Sequence, residues 1–501
     1  MLQSERRKKD CFVPGGRLML DLAVRNTKKL IRETSKNENI RIGRFFTKRE
    51  IARSLAGSFT FVSRYSVRLL DAGAGTGILA AAAVEAIAKS GGVTEIYLTC
   101  YENDPAYLPR LTDNLERVRK KARHDYHVKL RVTVLAEDFL TATHADDERY
   151  DYIITNPPQE TAEGTYATLF PEVFPAGAPL ACLFTWVAAS LLAPDGQLIT
   201  TLPLKTVSAV SLIPFRRALF RVAAPERVFL YAREKETAPL RPVVTLKLKE
   251  GSAPEEVRLL VFPGEDTPAT DDLPPLPYDA VVSSEDASLC LVHSGEELAS
   301  LVRMRDLPCR FSTFGLRVRT GLVLESRYPE LLRDAPVDGA VPLLHPRCLK
   351  DGMVQFPLPG VRHQYIIPRT AALSQPGKNI LLMKRVPAKS DKRRLTCAVL
   401  LKNTVPAHFS TSNKLNYIDA EGDEQMDPGF LFGLFGFLSS APVDAYIRLT
   451  SKSGQLNAKE LARLPLPDAE HLRQIGGRLM AMRSYKPDYC DKVVHEILGI
   501  G

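Results

Sequence analysis

The sequence has little of what marks secreted, zinc-binding or membrane proteins. Its 501 residues contain one Trp and eight Cys, and the Cys are scattered, with no C-x-x-C pair and no metal-like spacing to His. This pattern excludes a disulfide-stapled scaffold and predicts reduced thiols without a bound metal. The most apolar run, 430–438, is half as long as a membrane span, and the basic start of the chain lacks the apolar stretch of a signal peptide. We therefore expect a cytoplasmic protein that does not enter a membrane.

The composition is that of a globular chain with two or three domains. Hydrophobic residues make up 45% and charged residues 25% of the sequence, which excludes a disordered chain. Lys and Arg together number 67, against 58 for Asp and Glu. This small excess of positive charge favours an anionic partner.

Short apolar runs alternate with helical stretches from about residue 67, which is typical of a mainly parallel sheet covered on both faces. The predicted strands are 67–72, 95–102, 129–138, 150–156 and 196–203, followed by an antiparallel pair at a sheet edge, ERVFLYA and PVVTLKLKE. We predict a basic arm and helix over 1–40, an α/β domain over 41–250, a linker rich in Pro, Asp, Glu and Ser over 251–288, and an irregular α+β domain with a helical tail over 289–501.

The first motif that carries chemistry is a glycine-rich turn between the first strand and an Ala-rich helix. It runs from Asp71 to Gly77 and has glycines at Gly73, Gly75 and Gly77. Glycine lets the backbone turn sharply and approach a ligand, and the start of the helix supplies free N–H groups. The spacing differs from the G-x-G-x-x-G of dinucleotide enzymes, and an ordinary tight turn remains the alternative.

Acidic residues end the next two strands. Glu102 follows Gly77 by 25 residues along the sequence, where a carboxylate can accept hydrogen bonds from both ribose hydroxyls of a nucleoside. The third strand ends in Glu137, Asp138 and Phe139. There a carboxylate can accept the amino group of an adenine, and the Phe ring can lie on the base.

The fourth strand ends in the motif Asn156, Pro157, Pro158 and Gln159. Two consecutive prolines hold an extended loop, so that the Asn side-chain oxygen and a backbone carbonyl can both point into a pocket. Such acceptors grip an exocyclic amino group and direct its lone pair at an electrophile. A strand-terminating turn is the alternative for an isolated N-P-P, but here the motif follows three other signals in order.

With these motifs the chain resembles the S-adenosylmethionine-dependent DNA amino-methyltransferases, whose cofactor and catalytic motifs are D-x-G-x-G-x-G and N-P-P-[YFW]. The segment GRFFTKREIARSLAGSF (43–59) is similar to the family's G-x-F-[FY]-T-P helix opening, with Lys48 where Pro is usual. This motif precedes the Gly-rich loop, which is the order of the gamma subclass, mostly adenine-N6 enzymes. Segments 202–220, 315–327 and 433–467 are similar to the BsuBI/PstI-type adenine-specific methyltransferases of restriction-modification systems.

The resemblance implies a class I, Rossmann-like methyltransferase domain over 41–250 and a target-recognition domain over 289–501. It implies transfer of a methyl group from S-adenosylmethionine to N6 of adenine in double-stranded DNA, with a cognate restriction endonuclease acting as a separate protein. The implied cofactor-binding residues are Phe46, Thr47, Asp71, Gly73, Gly75, Gly77, Glu102, Asp138 and Phe139. The implied catalytic residues are Asn156, Pro157, Pro158 and Gln159.

One departure from the family keeps alternatives open, because Gln159 stands where the family has an aromatic residue that stacks on the flipped base. A DNA-binding relative with weakened chemistry is therefore one alternative. Methylation of RNA or of a protein glutamine is another, since N-P-P loops occur in those enzymes too.

The excess positive charge is concentrated in 378–402, which has eight Lys or Arg and one acidic residue. A solvated loop is the ordinary interpretation of such a run. Within a DNA-reading domain we favour contacts to phosphate. The predicted DNA-binding residues are Lys389, Lys392, Arg393 and Arg394.

Overall fold

A computed structural model gives the fold of most of the chain. The described residues are 18–33, 47–175, 177–231, 243–264, 266–292, 294–388, 391–422, 424–451 and 455–500. The chain divides into two compact units, the first made of Met1–Thr206 and Pro214–Tyr278 and the second of Val207–Ile213 and Asp279–Gly501.

A nine-stranded mixed sheet forms the centre of the first unit. Its strands are β1 (Ser66–Ala72), β2 (Glu95–Tyr101), β3 (Lys129–Leu135), β4 (Tyr150–Thr155), β5 (Leu192–Pro203), β6 (Ala223–Tyr231), β7 (Val243–Glu250), β8 (Glu256–Phe262) and β9 (Leu276–Pro277). Their order across the sheet is β3-β2-β1-β4-β5-β7-β6-β8-β9. The first five strands are parallel, and β7 runs antiparallel between β5 and β6. The carboxyl ends of β1 to β4 therefore meet at one edge, where sheets of this kind bind ligands.

Within the described part of the first unit, six α-helices accompany this sheet. They are α1 (Met19–Glu33), α2 (Arg49–Ala56), α3 (Ile78–Ser90), α4 (Leu108–Tyr126), α5 (Leu180–Ser190) and α6 (Ile213–Val222). Small Ala side chains let α3 pack closely, and ten of its residues are buried. Gly77 precedes α3 with φ of 82°, and a Cβ there would lie 2.9 Å from Leu111 Cδ1 of α4. A glycine is thus required where the Gly-rich turn joins the helix.

The sequence predicts the first five strands to within a few residues at each end, because their apolar and β-branched runs are bounded by turn residues. The prediction was wrong about the sheet edge and the linker. The residues called a linker, 251–288, include β8, which pairs in parallel with β6 and places the β6–β7 pair inside the sheet. The surrounding Pro and acidic residues concealed the apolar alternation of Glu256–Phe262, and the first unit continues to Tyr278.

The second unit consists of many short strands and a helical end. Its strands are β10 (Leu316–Thr320), β11 (Leu332–Arg333), β12 (Val341–Leu344), β13 (Leu349–Lys350), β14 (Met353–Val354), β15 (Tyr365–Ile366), β16 (Gln375–Pro376), β17 (Ile380–Lys384), β18 (Cys397–Leu400), β19 (His408–Thr411) and β20 (Leu415–Ala420). They form two sheets, β10-β20-β17-β18-β14-β13 and β11-β15-β12-β19-β16. Its helices are α7 (Tyr278–Val281), α8 (Gly295–Arg305), α9 (Pro428–Leu438), α10 (Ala441–Thr450), α11 (Ala458–Leu461), α12 (Ala469–Met482) and α13 (Pro487–Leu498).

The most apolar run of the sequence is the core helix α9 of the second unit. Nine of its residues are buried, and a Cβ on Gly433 would lie 1.7 Å from the Leu472 carbonyl oxygen. The absence of a side chain at Gly433 therefore allows the backbones of α9 and α12 to come into contact. Among the described residues, no single helix is long and apolar enough to cross a membrane, and α9 and α10 reach that length only as a pair bent by 58°.

Candidate active site

The Gly-rich turn lies at the carboxyl end of β1. Gly73, Gly75 and Gly77 all have positive φ, between 55° and 82°. The amides of Gly73 and Ala74 donate to the carbonyl of Tyr101 at the end of β2, over 3.0 and 2.9 Å. This turn is thus fixed by left-handed backbone and by the neighbouring strand, as expected of a close backbone approach to a ligand.

Asp71 lies buried beneath this turn. Its Oδ2 accepts from the Ala80 amide in the first turn of α3 at 3.0 Å, whereas Oδ1 is buried with no hydrogen-bond partner among the described residues. Burial raises the pKa of Asp71 to about 8, and the nearby Glu102 charge adds to the rise. A buried polar atom left without a partner is costly, and its position beside the turn fits a bound polar group.

Glu102 connects β2 with the Gly-rich turn. Its Oε2 accepts from the Gly75 amide at 2.6 Å, and its Oε1 accepts from the Asp104 amide at 2.8 Å. Burial raises the pKa of Glu102, although these two backbone donors oppose the rise. The carboxylate is therefore held beside the Gly-rich turn by two backbone donors.

Asp138 and Phe139 follow β3 and have different surroundings. Asp138 Oδ2 accepts from Asn103 Nδ2 at 3.1 Å and from the Tyr166 hydroxyl at 2.5 Å. The Phe139 ring is only 2% exposed and packs against the rings of Tyr101 and Phe184, with centroids 5.2 and 5.4 Å away. The carboxylate is thus at the surface of the site, and the ring lies in an aromatic cluster beneath it.

The N-P-P loop follows β4 and contacts Thr47, one of the predicted cofactor-binding residues. Asn156 is half-buried and donates from Nδ2 to the Thr47 hydroxyl at 3.3 Å, across 109 residues of sequence. Pro157 is buried and Pro158 half-buried in an extended loop. The structure therefore brings Thr47 and Asn156 together, whereas Phe46 lies outside the described residues.

Gln159 points back into its own loop. Its Nε2 donates to the Pro157 carbonyl at 2.8 Å and to the carbonyl of Thr201, near the end of β5, at 3.2 Å. The side chain therefore links the N-P-P loop to β5.

The sequence did not single out three further residues that shape the site. Asn103 bonds to Asp138, and Phe184 packs on Phe139. His144 Nε2 donates to the Phe139 carbonyl at 3.1 Å, and its ring packs against the Phe139 ring. Asn103 could have been found from its place directly after Glu102 at a strand end, but the contacts of His144 and Phe184 depend on the path of two loops.

The predicted DNA-binding residues of the second unit have partners within that unit. Arg393 Nη2 lies 2.5 Å from Asp491 Oδ2 of α13, and its side chain is 18% exposed. Arg394 donates from Nη1 to the Ser451 carbonyl at 2.8 Å. Lys392 is exposed, and Lys389 lies outside the described residues. The run of positive charge is thus divided between inward and outward side chains.

Known methyltransferases are similar to this chain along most of its length. It is 25% identical over 484 residues to the type II methyltransferase M.PstI of Providencia stuartii, covering 92% of this chain and 93% of that protein. It is 23% identical over 466 residues to the type II methyltransferase M.BsuBI of Bacillus subtilis, covering 87% and 89%. These similarities confirm the predicted resemblance to BsuBI/PstI-type methyltransferases. No protein-family model matches the chain.

The fold agrees with this resemblance. The solved structure of the type IIL restriction-modification enzyme MmeI in complex with DNA superposes with a TM-score of 0.52 at 11% identity, covering 97% of this chain and 74% of that one. The first unit is a mixed α/β domain whose strand order begins β3-β2-β1-β4-β5, which agrees with the predicted Rossmann-like fold.

Proposed function

We propose that this chain, which is similar to type II methyltransferases over about nine-tenths of its length, transfers a methyl group from S-adenosylmethionine to N6 of adenine in double-stranded DNA. It would act at a short specific sequence, as the modification component of a restriction-modification system. The contact between Asn156 of the N-P-P loop and Thr47 carries this proposal. It joins the predicted amino-group acceptor to the predicted cofactor site.

The residues at the strand ends fit the proposed cofactor by the chemistry of their groups. Glu102 offers a carboxylate for ribose hydroxyls, Asp138 offers one for an amino group, and the turn around Gly73 allows close approach of a ligand. By the resemblance, Thr47 would bind the carboxylate end of the cofactor, and Phe46 would help to form the wall of the pocket. When bound, S-adenosylmethionine supplies a methyl group on a sulfonium, which is already a good leaving group.

The N-P-P loop positions the nucleophile in this proposal. A target adenine must leave the duplex to reach the site, at a cost of about a few kcal/mol of stacking and pairing. The Asn156 side-chain oxygen and the Pro157 carbonyl would accept the two N–H groups of the amino nitrogen, so that its lone pair faces the methyl group. Reaction then depends mainly on holding the two groups in line.

The second unit would read the DNA sequence, and a cognate endonuclease would be a separate protein in the cytoplasm. The large second unit and its similarity to type II methyltransferases favour DNA over RNA or a protein glutamine as substrate. For phosphate contacts, exposed Lys392 is a better candidate than Arg393 or Arg394, whose side chains are bonded within the unit.

Sequencing the DNA of cells that express the chain tests the proposal. Native-strand nanopore reads, supported by methylation-sensitive digestion, should show N6-methyladenine at one short motif that control cells lack. Methylation found only in RNA or protein would favour the other enzyme class. DNA binding without methylation of DNA, RNA or protein would favour the weakened relative.

A further inference from the structure

The carboxylate of Asp138 has no spare capacity for another donor. Its Oδ1 accepts from the amides of Leu140 and Thr141, and its Oδ2 accepts from Asn103 Nδ2 and the Tyr166 hydroxyl. An ionised carboxylate offers about four acceptor positions, so the four donors fill it. An incoming amino group must therefore replace one of them.

Tyr166 is the donor that can leave without undoing the loop after β3. The Leu140 and Thr141 amides belong to the turn that Asp138 itself begins, and Asn103 follows Glu102 directly at the end of β2. Tyr166 instead comes from the 3-10 turn Gly164–Thr168, 28 residues away in sequence. Its bond to Asp138 raises the pKa of the Tyr166 hydroxyl to about 12, so the hydroxyl stays a proton donor at neutral pH.

At the N-P-P loop, too, a side chain of the protein is bonded to an acceptor that is proposed to serve a ligand. The Pro157 carbonyl, the proposed acceptor for the target amino group, already receives Gln159 Nε2 at 2.8 Å. A carboxamide nitrogen is a planar, conjugated NH₂ group, as is the exocyclic amino group of a nucleobase. Gln159 Nε2 occupies one of the two acceptor positions of this carbonyl oxygen, and the amino group of the target base is a donor of the same geometry that would compete for that position.

We propose that Tyr166 and Gln159 are placeholders, each bonded to an acceptor that serves a ligand amino group and each displaced when that ligand binds. The adenine amino group of the cofactor would replace the Tyr166 hydroxyl as a donor to Asp138. The amino group of the target base would replace the Gln159 amide as a donor to the Pro157 carbonyl. The inference rests on the proposed function. It makes the segment from Gln159 to Tyr166 the part of the site that moves on binding.

Titration calorimetry with S-adenosylhomocysteine, the unreactive product, tests the first placeholder. Tyr166→Phe keeps the ring and removes only the hydroxyl that competes for Asp138, so Kd should fall about threefold to tenfold, the worth of about one hydrogen bond. Tyr65→Phe, at a side chain that is 76% exposed, is the matched control. An unchanged or higher Kd in Tyr166→Phe, with unchanged thermal unfolding, overturns this assignment.

Steady-state methylation of a duplex carrying the motif found by sequencing tests the second placeholder. Gln159→Met keeps the length of the side chain and removes the competing amide, so the KM for DNA should fall about threefold to tenfold while the Kd for S-adenosylhomocysteine stays the same. Gln474→Met, at an exposed side chain of α12, is the control. If Gln159 instead braces the loop against Thr201, KM will rise or kcat will fall, and the assignment is overturned.

The wild-type chain separates failure of this inference from failure of the proposed function. Wild type that binds no S-adenosylhomocysteine and methylates no DNA contradicts the proposed function itself. If the wild type binds S-adenosylhomocysteine and methylates DNA, but Tyr166→Phe does not lower the Kd and Gln159→Met does not lower the KM for DNA, only the placeholder inference is contradicted.

Discussion

The two compact units use their charged side chains differently. In the first unit, Glu102 and Asp138 lie at the ends of long parallel strands and accept hydrogen bonds beside the Gly-rich turn. In the second unit, Arg393 and Arg394 are bonded to Asp491 and to the Ser451 carbonyl of the unit's own helices. The surroundings of a polar residue at the end of a parallel strand are thus easier to predict than those of a residue in a run of like charges, because the sheet fixes where strand ends meet.

The strongest test of the strand-end site is Gly73→Val. The φ of 79° at Gly73 is strained for a β-branched residue, although a Cβ would find ordinary space 3.6 Å from Phe184 Cε1. Relief of this strain should deform the turn and weaken S-adenosylhomocysteine binding by at least about 100-fold, or about 2.7 kcal/mol. Calorimetry measures the change.

Gly91→Val is the control for that experiment. Gly91 ends α3 with a similar φ of 74° and open space around it, but at the helix end remote from the turn. Gly91→Val should lower the stability of the chain and leave the Kd for S-adenosylhomocysteine unchanged. Equal Kd values for wild type and Gly73→Val would remove the Gly-rich turn from the cofactor site.

Stability against pH tests the buried acid beneath the turn. The pKa of Asp71 is raised from 3.8 to about 8 by burial, so the unfolded chain ionises this carboxyl at a lower pH than the folded chain does. Wild type should therefore lose stability relative to Asp71→Asn as pH rises from about 4 to about 8, by at most about 1.4 kcal/mol per pH unit, and no further above that. Denaturant unfolding at pH 5, 6.5 and 8 measures the slope. If the free energy of unfolding changes with pH in the same way in wild type and Asp71→Asn, Asp71 is not buried in its neutral form. The same effect from Asp147→Asn, at an exposed side chain, would contradict the assignment too.

Single alanine variants separate the two kinds of basic residue in the second unit. Arg393→Ala leaves Asp491 without its ion-pair partner and should lower the free energy of unfolding by about 1–2 kcal/mol. Lys392→Ala should leave stability unchanged and reduce the salt slope of DNA binding by about one. Replacing Lys392, Arg393 and Arg394 together would combine a loss of stability with a loss of DNA contacts, so single variants are needed. An unchanged salt slope in Lys392→Ala would make Lys392 a solvated residue only.

The smallest expected effect is at Gln159, where the chain departs from the N-P-P-[YFW] motif that it resembles. An aromatic face on a flipped base is worth about 1–3 kcal/mol, but a new ring must fit a place shaped for an amide bonded to Thr201. Gln159→Tyr should therefore raise the methylation rate by up to about tenfold or leave it unchanged. Comparison with Gln159→Met separates the ring from loss of the amide. A clear fall in Gln159→Tyr alone would show that this loop does not accept an aromatic residue.

The sequence predicts the part of the site that depends on strand ends. Asp71, Glu102, Asp138 and Asn156 could be placed together because each lies at or just after the carboxyl end of a strand in the parallel part of the sheet. It does not predict the pairings of Tyr166 with Asp138 or of Gln159 with Thr201, because these depend on the conformation of irregular loops.

Two features that the sequence does not reveal have the same physical cause, namely partners that are distant in sequence. The strand Glu256–Phe262 is concealed in an acidic, Pro-rich stretch and is stabilised by pairing with β6. Arg393 is neutralised by an acid 98 residues further along the chain. Local composition records neither interaction.

The central claim is that the N-P-P loop holds an amino group of DNA for methylation, and Asn156→Ala tests it most directly. Nanopore sequencing of DNA from cells that express either protein should show N6-methyladenine at one motif with wild type and none with Asn156→Ala, because the variant lacks the side-chain acceptor. S-adenosylhomocysteine binding and thermal unfolding of the variant serve as controls for folding. Equal methylation by the two proteins would contradict the assignment of Asn156.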